Sequence, residues 1–544
     1  MKKNVTRRSF IGTAAGVAAL GLAACSSDSS DDTTDDTSDD TSDDSTEEEA
    51  SSDATVGGGV ITAGSAYAAS SYDPASTGSA MGLGANWHVL EGLYGLDYTD
   101  YSTFNELATG DPEWSDEYTC TITIRDGATF STGDAVTASD VVACYENTKE
   151  SSTYAPFLNP FDSMTAVDDS TVEVVVNIPN FSLIKDRLAI IRVVPASMTA
   201  DERAATPIGS GPWMYSSQTD TAVELVPNEY YNGDYPAQDT MIHYDVLTDS
   251  TARITAQQEG TTLVMENVTA DAVETLTAAG CTLDEVQGFG TRFIMFNCTK
   301  EPWTNVLARQ AVMYALNVDN MITNTFDGYA SAATSYLPST FTNYHEASVV
   351  YTYDADKAAS LLDEAGVTPG DLIIRTTDNT QAVGMGTQAE NDLSALGFNV
   401  TITTDTSAST YAAIDTGEDD FDILIAPGDP SCFGADPDLL LNWWFGDNTW
   451  TQVRCPWQDT DEWQELNSLM SDALAAEGDE QQELWNQCFD ILAENVYLYP
   501  IVHIKTITAS WDDPSTSPTG TAIANFSGIG TTSMNFVGSY TTTA

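Results

Sequence analysis

The chain has 544 residues, of which 82 are acidic and 18 basic, and its formal net charge at pH 7 is −64. So negative a surface repels the phosphates of nucleic acids, which excludes a nucleic-acid partner. The chain is also longer than one hydrophobic core normally supports, and this predicts two or more lobes.

Residues 1–24 are predicted to be an export signal. Arg7 and Arg8 precede an apolar run, from Phe10 to Ala24, that is too short to span a bilayer. The arginine pair with the following Ser-Phe-Ile resembles the twin-arginine signal, which exports folded proteins. The small residues before Cys25 resemble a lipobox. Cys25 is therefore expected to become a lipidated N-terminus on the extracellular face of the cell membrane, or on the periplasmic side if an outer membrane is present.

Residues 25–56 are predicted to be a disordered acidic tether. From Ser26 to Asp53 the chain is almost entirely Ser, Thr, Asp and Glu, and it offers no aromatic or branched aliphatic side chain for a core. Like charges repel along such a segment and extend it. The segment would therefore act as a spacer between the membrane and the folded body.

The remaining chain is predicted to mix strands with helices, because alternating or continuously apolar runs occur beside runs with helical spacing. Strands are expected at 119–124, 171–178, 398–402 and 421–425, and helices at 306–322, at 354–365 and over most of 462–498. Gly366 would end the second of these helices as a C-terminal cap. The mixture, without an internal repeat, favours an α/β or α+β fold.

Seven cysteines follow Cys25, without the C-x-x-C spacing that is typical of zinc sites or redox motifs. Disulfides form in the oxidising environment outside the cell. Cys432 and Cys455 flank a loop-like stretch and are the first predicted pair, and Cys281 and Cys298 are the second. Because seven is odd, one thiol would stay free or pair between molecules.

A series of short segments identifies a family resemblance. In chain order they are Glu91 to Tyr94, Glu106 to Ala108, Ile124 to Val142, Ile208 to Trp213, Val226 to Tyr231, Phe296-Asn297, Pro302-Trp303, Ala308 to Ala315, Tyr353 to Ala358 and Leu361 to Gly366. The series resembles the extracellular solute-binding proteins of the dipeptide, oligopeptide and nickel type, solute-binding family 5, which serve ABC importers. The resemblance covers nearly the whole mature chain, and the stretch from Ile124 to Val142 is its most specific part.

The resemblance implies an α/β fold of the periplasmic-binding-protein type, with two lobes and a hinge between them. The N-terminal lobe, with an extra subdomain, would span 57–288, the second lobe 289–505, and residues 506–544 would return to the N-terminal lobe. A solute would bind between the lobes of a monomer, which would deliver it to a permease and its ATPase subunits.

The resemblance also indicates a solute-binding carboxylate. Asp429 follows the strand that contains Phe421-Asp422, at the position where peptide-binding members hold a ligand ammonium. Asp436 is the alternative, although its Asp-Pro-Asp setting is also typical of a helix cap. Ala426 and Pro427 replace the usual Gly-Trp, so an aromatic wall is missing and a roomier pocket is expected.

Further pocket positions follow from the same resemblance. Ala80 and Met81 would lie beside the ligand backbone, and Tyr154 and Phe293 match pocket-facing positions of the oligopeptide binders. Arg292 is a candidate for a solute carboxylate, with ordinary surface pairing as the alternative.

The predicted ligand is a short peptide, and no cofactor, metal site or catalytic residue is expected. A nickel chelate held by His88 or His345, haem or an oligosaccharide are alternatives within the same architecture. A secreted hydrolase is the alternative of another class. The chain lacks a Gly-x-Ser-x-Gly elbow and a His-Glu-x-x-His motif, and nothing marks a pair of its many carboxylates as catalytic.

Overall fold

The computed structural model describes residues 56–97, 99–151, 154–526 and 534–544. Arg7, Arg8 and Cys25 of the predicted signal, and almost all of the predicted tether, lie outside the described residues. Across the described ranges, no helix is both long enough and apolar enough to cross a membrane.

The strands are short in the first half of the chain, and two long strands follow later. They are β1 (Val60–Ser65), β2 (Tyr94–Leu96), β3 (Thr103–Asn105), β4 (Glu113–Trp114), β5 (Thr119–Thr123), β6 (Phe161–Ala166), β7 (Thr171–Val176), β8 (Trp213–Gln218), β9 (Ala222–Pro227), β10 (Met241–Val246), β11 (Val264–Met265), β12 (Thr282–Phe296), β13 (Ala330–Ala332), β14 (Asp371–Thr377), β15 (Asn399–Asp405), β16 (Ile423–Gly428), β17 (Leu498–Ser510), β18 (Thr521–Ala524) and β19 (Tyr540–Thr543).

Most helices begin at a side chain that caps the first turn, as Ser79, Asp249, Asn305 and Asn379 do. The helices are α1 (Ala80–Val89), α2 (Ala138–Lys149), α3 (Ile184–Leu188), α4 (Ala200–Ala205), α5 (Ser250–Gln258), α6 (Val273–Ala279), α7 (Val306–Ala315), α8 (Val318–Phe326), α9 (Ala355–Glu364), α10 (Thr380–Ala395), α11 (Ser407–Thr416), α12 (Pro437–Phe445), α13 (Asp461–Ala475) and α14 (Gly478–Asn495).

One sheet runs through both halves of the folded body, in the order β15-β14-β16-β12-β17-β11-β1-β10-β9-β8. Its two longest strands, β12 and β17, pair antiparallel over two stretches that are interrupted between Gln287 and Thr291. Near one end β17 pairs with β11, and near the other end β12 pairs with β16. The two long strands therefore connect the two halves of the sheet.

Two large clusters of buried side chains form separate cores. We call the part built around Ile61, Met81 and Trp213 the first lobe, and the part built around Trp444 and Trp485 the second lobe. A separate four-stranded sheet, β4-β5-β7-β6, packs against α2 and contributes to the first-lobe core. The mixed α/β architecture agrees with the sequence prediction.

The predicted elements are largely present, with one clear difference. The strand predicted at 119–124 is β5, and Asp354 and Gly366 bound α9 as expected, with Gly366 at a φ of +70°. The single helix predicted over 306–322 is instead two helices, because the side chain of Asn317 caps a new helix by accepting from the N–H of Asn320. Because the apolar periodicity of the sequence continues across this break, the pattern did not indicate that one helix ends and another begins.

Three of the landmark residues, Glu91, Arg125 and Gly209, make close structural contacts in the first lobe. Arg125 donates two hydrogen bonds of 2.8 Å to Glu91, one to each carboxylate oxygen. Gly209 packs so closely on α1 that a Cβ would lie 2.0 Å from the carbonyl oxygen of Val89. These residues therefore fix the packing of the lobe, and only glycine fits at position 209.

Neither predicted disulfide is present in this structure, in which the seven cysteines of the described residues are thiols. Cys432 lies in a short 3₁₀ helix, and Cys281 lies 3.9 Å from the side chain of Gln257. Cys455 lies beside Cys298 instead, with 4.0 Å between the sulfur atoms. Distance along the chain did not indicate which thiols the fold brings together.

Candidate functional site

Asp429 lies at the point where β16 leaves the sheet. It begins a 3₁₀ helix, Pro430–Phe433, and its Oδ1 accepts 2.6 and 3.1 Å hydrogen bonds from the hydroxyl and the N–H of Ser431. Burial raises the pKa of the Asp429 carboxyl to about 6, against the opposing effect of these hydrogen bonds. A cationic group next to this carboxylate would offset its desolvation.

A tyrosine of the first lobe reaches this carboxylate through Ser431. The hydroxyl of Tyr101 donates to Oγ of Ser431 at 3.3 Å, and Ser431 donates to Asp429. Tyr101 also packs its ring 5.5 Å from that of Phe341 and has a φ of +58°, a strained value for a tyrosine. The network therefore joins the loop between β2 and β3 to the end of β16.

Gly290 leaves space directly beside Asp429. In the sheet, Thr291 pairs with Gly428 and Arg292 with Pro427, so the register places Gly290 next to Asp429. A Cβ at Gly290 would lie only 3.2 Å from Oδ2 of Asp429. The missing side chain of Gly290 therefore lets the Asp429 carboxylate and the side chain of Ile504 lie close to the backbone of β12.

Arg292 provides a positive charge close to Asp429. One guanidinium nitrogen donates to the carbonyl oxygen of Thr291 at 3.0 Å, another donates to Gln381, and Nε is buried without a partner. Arg292 forms no ion pair with any carboxylate of the described residues. Burial accordingly lowers its pKa to about 10, partly opposed by Tyr67 and Asp429.

The first lobe contributes a second buried carboxylate, Glu266. Strands β1 and β11 are parallel and end side by side at Ser65 and Met265, and the carboxyl ends of parallel strands are a common place for ligands. Glu266 accepts hydrogen bonds of 2.8 and 2.9 Å on Oε1 from the hydroxyl of Ser65 and the N–H of Ala66. Its Oε2 is buried without a partner, and burial raises its pKa to about 7.

Tyr67 lies within electrostatic reach of charged groups from both lobes. Burial, together with the negative charges of Glu266 and Asp429, raises the pKa of its hydroxyl to about 12, and the positive charge of Arg292 opposes the shift. Although its hydroxyl is shielded, Tyr67 keeps 43% of its surface exposed. It therefore lies in the region between the carboxylate of the first lobe and the charged pair of the second.

A small pocket adjoins the 3₁₀ helix that Asp429 begins. It is lined by residues of both lobes: Pro74, Leu83, Asn86, Trp87, Leu96, Tyr154, Ala189, Ile190, Arg192, Cys432 and Phe433. Tyr154 donates its hydroxyl to the carbonyl oxygen of Thr77 and packs edge-on against Phe433, with 4.9 Å between ring centres. The largely apolar lining suits a small apolar group of a solute.

Ala426 and Pro427 bring no aromatic side chain to β16, and aromatic side chains of other elements pack on this strand in the buried core. Trp444 of α12 packs on bare backbone of β16, where a Cβ at Gly428 would lie 2.3 Å from the indole. Phe293 and Trp450 pack beside Trp444, with ring centres 5.4 and 6.3 Å from it. The sequence showed the loss at 426–427 but not this packing.

Other predicted pocket residues have their side chains in the cores. Met81 and Phe293 are 0% exposed, in the first-lobe and second-lobe cores, respectively. Ala80, the first residue of α1, is partly exposed. Neither Met81 nor Phe293 can offer its side chain to a solute in this structure.

Asp436 is occupied by a structural pair and does not face the site as an available carboxylate. Its two oxygens accept hydrogen bonds of 2.6 and 2.7 Å from Arg187, and Oδ1 also accepts from the N–H of Leu439, which caps α12. Arg187 is 0% exposed and bonds Asp438 at 2.8 Å as well. The alternative assignment of Asp436 as a ligand residue is therefore replaced by a structural role between α3 and α12.

The histidines proposed for nickel have structural contacts. Nε2 of His88 accepts a 2.7 Å hydrogen bond from the N–H of Phe536, and His345 lies 3.5 Å from Asp490. Within the described ranges, no three His, Cys, Asp or Glu side chains are grouped so that they could hold a metal ion.

Sequence reasoning missed Tyr67, Tyr101, Gly290, Ser431 and Glu266. Gly290 carried a usable signal, because a glycine inside a strand often marks a close backbone approach. Glu266 directly follows an apolar run, which would have placed it at a strand end. The two tyrosines belong to loops and Ser431 to a short 3₁₀ helix, and the partners of such residues depend on the tertiary fold.

These features define a class of protein: two lobes joined by two crossing strands, with charged groups and an apolar pocket where the lobes meet. A sequence model of bacterial extracellular solute-binding proteins, family 5, matches residues 104–452. The chain belongs to this family, which consists of solute-binding proteins rather than enzymes.

Individual relatives are distant. The chain is 29% identical over 325 residues to a glutathione-binding protein of Pectobacterium atrosepticum, an alignment covering 57% of this chain and 62% of the relative. It is 28% identical over 255 residues to the dipeptide-binding protein of Escherichia coli, covering 44% and 48%. The alignments thus span between about half and about two thirds of these relatives' lengths.

Solved structures share the two-lobed fold. A periplasmic binding protein of Helicobacter pylori in complex with the peptide STSA matches with a TM-score of 0.74 and 20% identity, over 89% of this chain and 98% of that one. A nickel-binding protein of Staphylococcus aureus in complex with Ni(L-His)2 matches with a TM-score of 0.72 and 16% identity, over 90% and 100%. The predicted two-lobed periplasmic-binding-protein fold is confirmed.

Proposed function

We propose that this protein is the substrate-binding lipoprotein of an ABC importer, and that it captures a short peptide between its lobes for delivery to the permease. The observation that carries the proposal is the pair formed by Asp429 and Arg292. Arg292 lies on β12 and Asp429 directly follows the adjacent strand β16, and the buried Arg292 forms no ion pair with a carboxylate of the described residues. A zwitterionic solute would complement both charges.

Asp429 is the proposed partner of the peptide ammonium. Its Oδ1 is held by Ser431, while Oδ2 lies next to the backbone at Gly290. An ammonium there would make charge-assisted hydrogen bonds and would lower the raised pKa of the carboxyl. The Ser431 and Tyr101 hydroxyls would hold the carboxylate in place during this contact.

Arg292 is the proposed partner of an anionic group of the same solute. A buried guanidinium without a carboxylate is costly, and a solute carboxylate would remove most of that cost. Because Arg292 and Asp429 are near neighbours, the anionic group would lie near the peptide's amino end. An acidic side chain, or the terminal carboxylate of a very short peptide, satisfies this condition.

Glu266 and Tyr67 are the proposed first-lobe side of the site. The unpartnered Oε2 of Glu266 can accept a hydrogen bond from a peptide N–H or ammonium group. Because the solute would contact both lobes, its binding would favour the closed arrangement. The importer would recognise the solute-loaded receptor by this closed arrangement.

The proposed location rests on the sequence of residues 1–56. Arg7 and Arg8 would direct export by the twin-arginine route, Cys25 would carry the lipid, and the acidic tether would hold the receptor near the membrane. Cys25→Ala should release the protein from the membrane fraction, whereas Cys120→Ala, at a buried thiol of the folded body, should not. Retention of Cys25→Ala in membranes would overturn the anchor.

The ligand class is tested by calorimetry with a panel of di- to hexapeptides, nickel chelates, haem and oligosaccharides, with each mixture analysed afterwards for reaction products. The proposal predicts that peptides bind without turnover and that Asp429→Ala weakens them together. Binding of only a non-peptide solute would overturn the peptide assignment. Product formation would establish the hydrolase alternative.

A further inference from the structure

Two of the free thiols lie close together at the edge of the second lobe. Cys298 follows the end of β12, and Cys455 directly follows a short π-helix, Trp450–Arg454. Their sulfur atoms are 4.0 Å apart, although 157 positions separate them along the chain. Cys455 is buried, and Cys298 is partly exposed.

The surroundings prepare Cys298 to react first. The thiol of Cys455 donates towards Cys298 and, together with the positive charge of Arg309, lowers the pKa of the Cys298 thiol. Cys455 itself contacts the carbonyl oxygens of Phe296 and Tyr497, each at 3.5 Å, and burial with the neighbouring Cys298 raises its pKa. The partly exposed thiol of Cys298 is therefore the more reactive of the two, and it lies next to the buried thiol of Cys455.

We propose that Cys298 and Cys455 form a disulfide in the exported protein. Members of this family work outside the cytoplasm, where disulfides form and persist. Bond formation would bring the two sulfurs about 2 Å closer together, from 4.0 Å to the length of an S–S bond. The other five cysteines of the described residues stay thiols.

The bond forms by exchange with a disulfide-bearing oxidant, either a dithiol–disulfide oxidoreductase or a low-molecular-weight disulfide. The Cys298 thiolate attacks one sulfur of the oxidant, which releases the other sulfur as a thiolate and leaves a mixed disulfide. Cys455 then loses its proton, attacks Sγ of Cys298 and expels the second oxidant thiolate. The two protein thiols thus lose two protons and two electrons, and the oxidant disulfide becomes two thiols.

The disulfide would restrain the packing of Trp450 and Phe293 next to the candidate site. Trp450 lies in the π-helix just before Cys455 and packs against Phe293 of β12, with ring centres 6.0 Å apart. Arg292, the next residue back along β12, belongs to the charged pair. A link from Cys298 to Cys455 therefore ties the strand that carries Arg292 to the segment that carries Trp450.

The test uses the full chain exported by its native host, with free thiols blocked by N-ethylmaleimide at collection. Mass spectrometry of peptides from a non-reduced digest should show Cys298 linked to Cys455, and the other cysteines should carry the label. In Cys298→Ser, Cys455 should become labelled after unfolding. Cys488→Ser, at a fully buried cysteine of α14, should keep the linkage.

Thermal unfolding provides a second test in case the variants are produced in low yield. Reductant should lower the melting temperature of the wild type by several degrees but leave that of Cys298→Ser unchanged. Free thiols at both Cys298 and Cys455 in the exported wild type, or either one linked to a different partner, would overturn the proposal. Because the readout is thiol state and not solute binding, its failure would leave the proposed transport function untouched.

Discussion

At the scale of single residues, the site depends on carboxyls held away from water. Asp429 and Glu266 have pKa values raised by burial to about 6 and about 7. A raised carboxyl pKa stabilises the folded state below the unfolded pKa, and that contribution is lost as the pH rises through the folded pKa. A bound ammonium has the opposite effect on the carboxyl pKa, because it stabilises the charged carboxylate.

Peptide affinity should therefore fall when the pH is lowered. Between pH 7 and pH 5, protonation of Asp429 near pH 6 should weaken binding by about tenfold. Tyr67 and Arg292 face the same region, but neither titrates in this window. Calorimetry across this range measures the effect, and Glu266→Gln separates the contribution of the second carboxyl. Equal affinity of the wild type at both pH values would contradict the role of Asp429.

At the scale of elements, β16 and α12 pack closely because Gly428 of β16 has no side chain. Gly428 lets the indole of Trp444 lie on the strand backbone, beside the turn that carries Asp429. Phe289 and Phe293 pack on the same indole, with ring centres 5.9 and 5.4 Å away. The position of the site therefore depends on close packing between a strand and a helix.

Gly428→Ala should destabilise the second lobe. The added methyl would lie 2.3 Å from a ring carbon of Trp444, and overpacking of this kind costs about 1–3 kcal/mol. Denaturant unfolding measures the loss, with Gly370→Ala as the control, because a Cβ at Gly370 meets nothing within 4 Å. If the two variants are equally stable, the packing argument is wrong.

The sequence predicted elements better than it predicted contacts. Asp429 was placed correctly at the end of a strand because a buried run, Ile423 to Ala426, leads directly to it. The roles of Asp436 and Trp444 could not be predicted in the same way, because Arg187 and Gly428 meet them only through the tertiary fold. The proximity of Cys298 and Cys455 could not be predicted for the same reason.

At the scale of the whole molecule, the lobes are joined by more than the two crossing strands. Arg187 of the first lobe is fully buried and bonds both Asp436 and Asp438 of the second. Burial raises the pKa of Asp438 to about 6, and Arg187 opposes that shift. This ion cluster therefore holds the lobes in the arrangement seen here.

Arg187→Ala should destabilise the protein strongly, since two buried carboxylates would lose their cation. Removing one partner of a buried ion pair typically costs about 3–5 kcal/mol. Lys185→Ala is the matched control on the same helix: its partner Asp111 is largely exposed, so the loss should stay below about 1 kcal/mol. Unfolding experiments that give similar losses for both variants would show that the cluster contributes little.

The central claim is that this receptor holds a peptide by its ammonium between the lobes, at Asp429. The most direct measurement is calorimetry of the wild type with one peptide that binds in the panel and with its N-acetylated form. The account predicts that acetylation weakens binding at least tenfold, and that Asp429→Asn removes most of the difference between the two peptides. Equal affinity for the free and the acetylated peptide would contradict it.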